Sequence, residues 1–265
     1  MDAATIVKRI RVLSGITRKE LAELADLSPS TVGRIEQGRL DPTWGTLSRI
    51  LESTGYRISG DTIVSAGDTS AVMAAKPILN SVIDAYTPQE SLSLETLTAD
   101  GRKWWDRWTR TGWLSARSDA DALVTLAATA GNAAKVARRA VVHRTVATDD
   151  GWLGLARRLG EAQFNYAVSG LVATRNNRTI ATSLNPLIYV EDPAYAVEKL
   201  SLKETSPGSG AVLIAPAGDE LAQVETEDGV RFVSQSQALL DAFAGSGREP
   251  DKAEDALRHL LAVST

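Results

Sequence analysis

The chain has no cysteine in its 265 residues, which excludes a disulfide framework and any thiolate metal site. Histidine is nearly as scarce. His143 and His259 stand far apart, a poor basis for an imidazole metal centre or a Ser-His-Asp triad. No apolar run approaches the ~20 residues of a membrane span. The first residues lack a secretory signal pattern, because Lys8, Arg9 and Arg11 interrupt it. A soluble, cytoplasmic protein with no membrane contact is therefore expected. Also lacking are a glycine-rich phosphate loop, G-x-S-x-G and H-E-x-x-H, so neither an enzyme nor a cofactor or metal is expected. What is present is enough apolar material for real cores, 43%, and length for two or three compact domains.

The most informative segment is Thr17–Leu51, T-R-K-E-L-A-E-L-A-D-L-S-P-S-T-V-G-R-I-E-Q-G-R-L-D-P-T-W-G-T-L-S-R-I-L. Thr17 and Glu20 form an S/T-x-x-E capping box, after which Leu21, Leu24 and Ala25 fall on one helical face. Ser28 is a second N-cap with Pro29 at the first helical position, where a missing N–H costs nothing. The helix that follows is expected to bury Val32 and Ile35 and to stop at Gly38. Its outer face then shows Ser30, Thr31, Gly33, Arg34 and Gln37, short polar groups plus one forked cation. Such a face suits a helix lying in a DNA major groove. Flanking helices are expected at Ala4–Leu13 and Thr43–Thr54.

These elements resemble the Cro-like, XRE-type helix-turn-helix family of bacterial and phage regulators over roughly residues 4–57. The matching pieces are T-x-x-E-L-A, L-S-x-S-T-V, I-E-Q-G-R and P-T-x-x-T-L. The resemblance implies base reading by Ser30, Thr31, Gly33 and Arg34, with Arg34 placed for bidentate contact to guanine and Gln37 on the same DNA-facing side. It implies phosphate contacts from Arg11, Arg18, Ser28 and Arg39. It also implies a homodimer on double-stranded operator DNA.

Net charge is −4, but from Met1 to Arg57 nine Lys/Arg face seven Asp/Glu, so the N-terminal part carries +2 and the remainder −6. That division suits one DNA-facing domain attached to a body that avoids DNA.

Residues 58–150 read as a helical middle region. Ile58–Ser70 is a linker or small strand, and Ala71–Tyr86 a helix interrupted near Pro77. A break follows at Thr87-Pro88 and on to Asp100. The W-W-D-R-W-T-R-T-G-W run (Trp104–Trp113) is expected to pack, since Trp104 and Trp108 share a helical face. Asp119–Val142 is Ala-rich and helical, broken at Gly131-Asn132 with Asn132 capping a second half. Its basic K-V-A-R-R leaves open a degenerate second helix-turn-helix or winged helix.

Residues 151–265 read as a mixed α+β domain. A helix starts at Trp152. Strands are expected at Pro186–Val190, Ala196–Leu202 and Ala211–Ala215, then at Leu221–Thr226 and Val230–Val233 around a Glu227-Asp228-Gly229 turn. Helices at Gln235–Phe243 and Pro250–Val263 finish the chain. The whole is thus α+β: an all-α N-terminal domain, a helical middle segment and a mixed C-terminal domain.

The C-terminal pieces L-A-R-R-L, Y-A-V-S-G, L-I-Y-V-E-D, A-V-L-I-A-P, G-V-R-F-V-S-Q-S-Q-A-L-L-D-A-F and G-R-E-P-D-K-A-E-D-A-L resemble AbiEi-family antitoxins of type IV toxin–antitoxin systems, over roughly residues 150–264. Members of that family usually carry a winged-helix N-terminus, whereas an XRE-type one stands here. The resemblance implies an autorepressor that counters a nucleotidyltransferase-type toxin, without requiring stable binding to it. A small-molecule-sensing regulator is the alternative. A metal-dependent nuclease built from Glu191, Asp192, Glu198, Asp219 and Glu220 beside Lys199 and Lys203 is the third reading.

Overall fold

Each N-terminal helix starts at a side-chain cap. In the computed structural model, which describes residues 2–83, 97–115, 119–174 and 186–263, the Asp2 carboxylate accepts the Thr5 N–H at the start of α1 (Ala3–Leu13). α1 buries Ile6, Val7 and Ile10. Thr17 and Glu20 complete the capping box of α2 (Arg18–Leu24). Ser28 caps α3 (Pro29–Glu36), and Thr43 caps α4 (Trp44–Ser53). Gly38 has φ +68°, the left-handed geometry that ends α3 without a Cβ clash. Leu21, Leu24, Val32, Ile35, Leu47 and Ile50 are buried and join the α1 residues in one core.

The stretch read as a linker or small strand is an antiparallel hairpin, β1 (Tyr56–Ser59) with β2 (Thr62–Ser65). It leads to α5 (Ser70–Ile83), which runs through Pro77 instead of breaking there. Ala74, Ala75, Ile78 and Leu79, buried on both sides of the proline, hold the helix across the lost hydrogen bond. The expected break at Thr87-Pro88 lies outside the described residues. α6 (Ala99–Thr111) buries Trp104 and Trp108, whose rings stand 5.7 Å apart. α7 (Ala120–Ala133) is continuous through Gly131, so Asn132 caps nothing. Its carbonyl instead accepts the Ser65 hydroxyl at 2.7 Å.

The basic K-V-A-R-R is not a helix but a single 3-10 turn at Val136–Arg138, and Arg139 is buried with its Nε–H on the Ala134 carbonyl, 2.9 Å. No second recognition helix forms there. At Gly55 (φ +80°) an added Cβ would fall 2.5 Å from the Ala133 Cα. The end of α4 therefore meets the end of α7 backbone to backbone, a closeness that requires glycine.

The chain forms two compact units, with a division at Arg139/Ala140. One comprises Met1–Arg139 with Leu257–Thr265, the other Ala140–Ala256. The second holds a six-stranded sheet in the order β3-β6-β5-β4-β8-β7. Its strands are β3 (His143–Val146), β4 (Tyr166–Ser169), β5 (Leu187–Val190), β6 (Ala211–Ile214), β7 (Val224–Glu227) and β8 (Val230–Val233). The β5–β6 and β4–β8 pairs are parallel and the rest antiparallel. Every residue of β4 and β5 is buried, as central strands covered on both faces require.

α8 (Gly151–Glu161), α9 (Pro193–Lys199), α10 (Gln235–Phe243) and α11 (Glu249–Val263) complete the chain. Residues 196–202, read as a strand, belong largely to α9, because Asp192 accepts the Tyr195 N–H and Pro193 opens a helix. His143–Val146, to which the sequence pattern assigns no element, is an edge strand. The chain is α+β, helical at its N-terminus and sheet-bearing in its C-terminal half.

Candidate nucleic-acid interface

The exposed side of α3 is built from two different kinds of group. At its start the hydroxyls of Ser28, Ser30 and Thr31 sit together. Ser28 Oγ lies 2.8 Å from both the Ser30 and Thr31 hydroxyl oxygens and accepts the Thr31 N–H at 3.0 Å. These exposed groups flank a helix N-terminus, whose unsatisfied N–H groups favour an anion. Further along, Arg34 is exposed, and its guanidinium has no hydrogen bond or ion pair among the described residues. Gln37, the C-cap, and Arg39 are exposed as well. The Arg34 carbonyl accepts the Arg39 N–H at 2.9 Å and the Leu40 N–H at 3.2 Å, which fixes the chain just beyond the helix.

Gly33 departs from the expected outer face, because it is buried. An added Cβ there would lie 3.5 Å from Arg18 Cδ, so the Arg18 stem covers it. The glycine makes room for an arginine from α2 to cross α3. That arginine ends on Glu36, with Arg18 Nη2 at 2.8 Å and Nε at 2.9 Å from Oε2. Arg11 of α1 reaches the other oxygen, Nε to Oε1 at 2.6 Å, and its Nη1 approaches the Ile16 carbonyl at 3.5 Å.

One carboxylate therefore ties α1, α2 and α3 together. The Glu36 side chain is 4% exposed, against 22% for Arg11 and 48% for Arg18. Burial raises the Glu36 pKa, but the two guanidiniums outweigh it and hold the carboxyl below its ordinary value. Both arginines have N–H groups to spare, so each can still meet a phosphate while held by Glu36. Their positions are set by the protein before any DNA arrives.

The bracing of the motif from outside it escaped the sequence reading. Arg110 of α6 donates to the carbonyls of Glu23 (3.0 Å) and Leu24 (3.2 Å), satisfying the C-terminal end of α2. Just past α6, Trp113 Nε1–H donates to Glu20 Oε1 at 3.2 Å. The same Glu20 accepts the Thr17 N–H through Oε2 at 2.7 Å. Trp104 Nε1–H meets Asp68 at 2.8 Å. The tryptophan-arginine run thus serves as a clamp on the helix-turn-helix and its hairpin. No local pattern could reveal that, since the partners lie 36 to 93 residues away in sequence.

Three of the five carboxylates considered for a nuclease are engaged in local structure. Glu191 accepts from Asn165 Nδ2 at 2.6 Å and Asp192 caps α9. Glu220 accepts the N–H groups of Ala217 and Gly218. Among the described residues no three acidic or histidine side chains gather as a metal site, and no helix is long and apolar enough to cross a membrane.

Residues 7–60 match the family model described as helix-turn-helix, a span that contains all of α2, α3 and α4. No curated protein and no solved structure matches the chain. The matched segment is an XRE-type helix-turn-helix domain, and the chain carrying it is a DNA-binding transcriptional regulator.

Proposed function

We propose that this regulator is an operator-binding repressor serving as the antitoxin of a type IV toxin–antitoxin pair. The observation carrying the DNA-binding half is the exposed Arg34, without an ion pair among the described residues, beside the Ser30 and Thr31 hydroxyls and Gln37, on a helix whose neighbours Arg11 and Arg18 are already fixed. Two copies would set their α3 helices in successive major grooves about 34 Å apart. Base reading falls to Arg34, while Ser28, Arg39, Arg11 and Arg18 meet phosphates. Gly33, covered by Arg18, takes a spacing role instead of a reading one.

The antitoxin half is supported by where five of the six AbiEi-like segments fall, the sixth, Gly247–Leu257, ending one residue beyond the Ala140–Ala256 unit. Leu155–Leu159, Tyr166–Gly170, Leu187–Asp192, Ala211–Pro216 and Gly229–Phe243 lie on α8, β4, β5, β6 and β8–α10, all within the Ala140–Ala256 unit. The unit counters a nucleotidyltransferase-type toxin encoded beside it, as a binding or regulatory protein without catalysis of its own, in the cytoplasm.

The test is expression of the neighbouring reading frame with and without this chain. Growth arrest by the neighbour, relieved by the full chain and equally by Arg34→Ala, supports antitoxin action separate from operator binding. No arrest, or arrest that the full chain fails to relieve, overturns it.

A further inference from the structure

The β1–β2 hairpin, which follows the matched helices, has an open side. The Ala66 N–H donates to the Gly55 carbonyl at 2.8 Å, one register pair before Tyr56 and Ser65. Bonded and non-bonded pairs alternate along an antiparallel ladder, so Arg57–Val64 and Ser59–Thr62 are the bonded pairs of the hairpin. The N–H and C=O groups of Tyr56 and Ile58 therefore point away from β2. No other element among the described residues takes them up. An unpaired strand edge is a template for another strand, and a two-stranded sheet is marginal without one.

Two exposed charges mark this edge, Arg57 on β1 and Asp61 in the turn. Neither has an ion pair among the described residues. About a two-fold axis perpendicular to the sheet, β1 of one copy runs antiparallel to β1 of another. Centred on Arg57, that pairing would set two guanidiniums directly opposite, which is unfavourable. Centred on Ile58, it pairs neither charge. Centred on Ser59, it sets Arg57 opposite Asp61 of the second copy, and the reverse, with Ile58 opposite Gly60. The second copy's turn then reaches the start of β1. There the Tyr56 side chain meets Ser14 at the end of α1, just after Val12 and Leu13, which are 63% and 58% exposed. Apolar surface thus borders the open edge.

We propose that two copies of this chain associate through antiparallel pairing of their β1 strands, centred on Ser59, with reciprocal Arg57–Asp61 ion pairs. A second copy is the fitting occupant because the edge's own two charges complement each other in that arrangement. The pairing supplies the two-copy assembly of the operator reading, and rests on that reading only for its use on DNA.

Sedimentation equilibrium of the full chain without DNA tests it. The parent chain should form a dimer that dissociates on dilution. Arg57→Asp and Asp61→Arg, each alone, should weaken self-association by about tenfold or more, because each sets like charges opposite one another twice. An equimolar mixture of the two variants should dimerise about as tightly as the parent, since the two altered strands complement each other. Recovery in the mixture also shows that both variants are folded. A parent chain that is monomeric at every concentration overturns the proposal. So do single variants that associate as the parent does, and so does a mixture that stays monomeric. Operator affinity and its dependence on Arg34 are measured separately with DNA, so failure of the interface and failure of the operator reading are told apart.

Discussion

Two pairs of arginines in the helix-turn-helix resemble each other in sequence and differ in the structure. Arg11 and Arg18 converge on Glu36 from two helices, one on each carboxylate oxygen. Arg34 and Arg39, on and just after α3, carry no ion pair among the described residues. The first pair spends part of its donor capacity on tying α1, α2 and α3 together. The second keeps its full donor capacity for a ligand. A basic residue in such a motif is thus not one kind of object: its partner within the fold decides whether its loss is felt as stability or as affinity.

The largest break in that comparison comes from removing the shared acid. Glu36→Ala leaves two guanidiniums facing each other across a buried site, and should destabilise the N-terminal unit by about 2–3 kcal/mol. That is below the figure for a fully buried pair, because Arg18 is half exposed. Amide hydrogen exchange in α1–α3 measures it. Protection falling in α3 alone would show that Glu36 does not tie the three helices.

Arg34→Ala is the opposite case. It should leave that protection unchanged and lower operator affinity by about 1–3 kcal/mol, with relaxed discrimination at one base pair. Equal loss on every sequence would place Arg34 on a phosphate instead of a base.

Acid separates the pairs without deleting an arginine. The Glu36 carboxyl is held below its ordinary value of 4.5 in the folded chain. Its contribution is therefore complete above about pH 4.5 and is lost as pH falls through the lower folded value. Exchange protection of α1–α3 should drop in that window, and Glu36→Gln should flatten the drop. An equally steep fall in the variant would assign the acid sensitivity to other carboxylates.

Legibility followed the range of the interaction. The caps of α2 and α3 act over three residues, so Thr17–Glu20 and Ser28-Pro29 were readable from the chain alone. The same grammar was present at Asp192-Pro193 and was overridden by a β-type reading of the apolar residues after it. Gly33 was read by position, when its meaning lay in a residue of the preceding helix that crosses it. The Asp228-Gly229 turn (φ +49° and +77°) was legible because a two-residue hairpin loop demands left-handed residues. The order of the six-stranded sheet was not, since it joins β4 to β8 across more than 60 residues. The grouping of α5–α7 with the DNA-binding helices was equally hidden, because it depends on side chains such as Arg110 meeting carbonyls far along the chain.

The smallest effect tests whether that long-range brace matters to the interface. Trp113→Phe keeps an aromatic ring at this buried site but gives up part of the indole's packing together with the Nε1–H that reaches Glu20. The capping box itself survives, because Glu20 meets Thr17 through its other oxygen. One neutral donor to a carboxylate is worth about 1 kcal/mol or less when part of the group faces water. The loss should appear as faster exchange in the first turn of α2 and leave operator affinity within about twofold, since α3 and its free arginines are untouched. If affinity instead falls as far as in Arg34→Ala, the held pair and the free pair are coupled through α2. The division between stability and recognition would then be false.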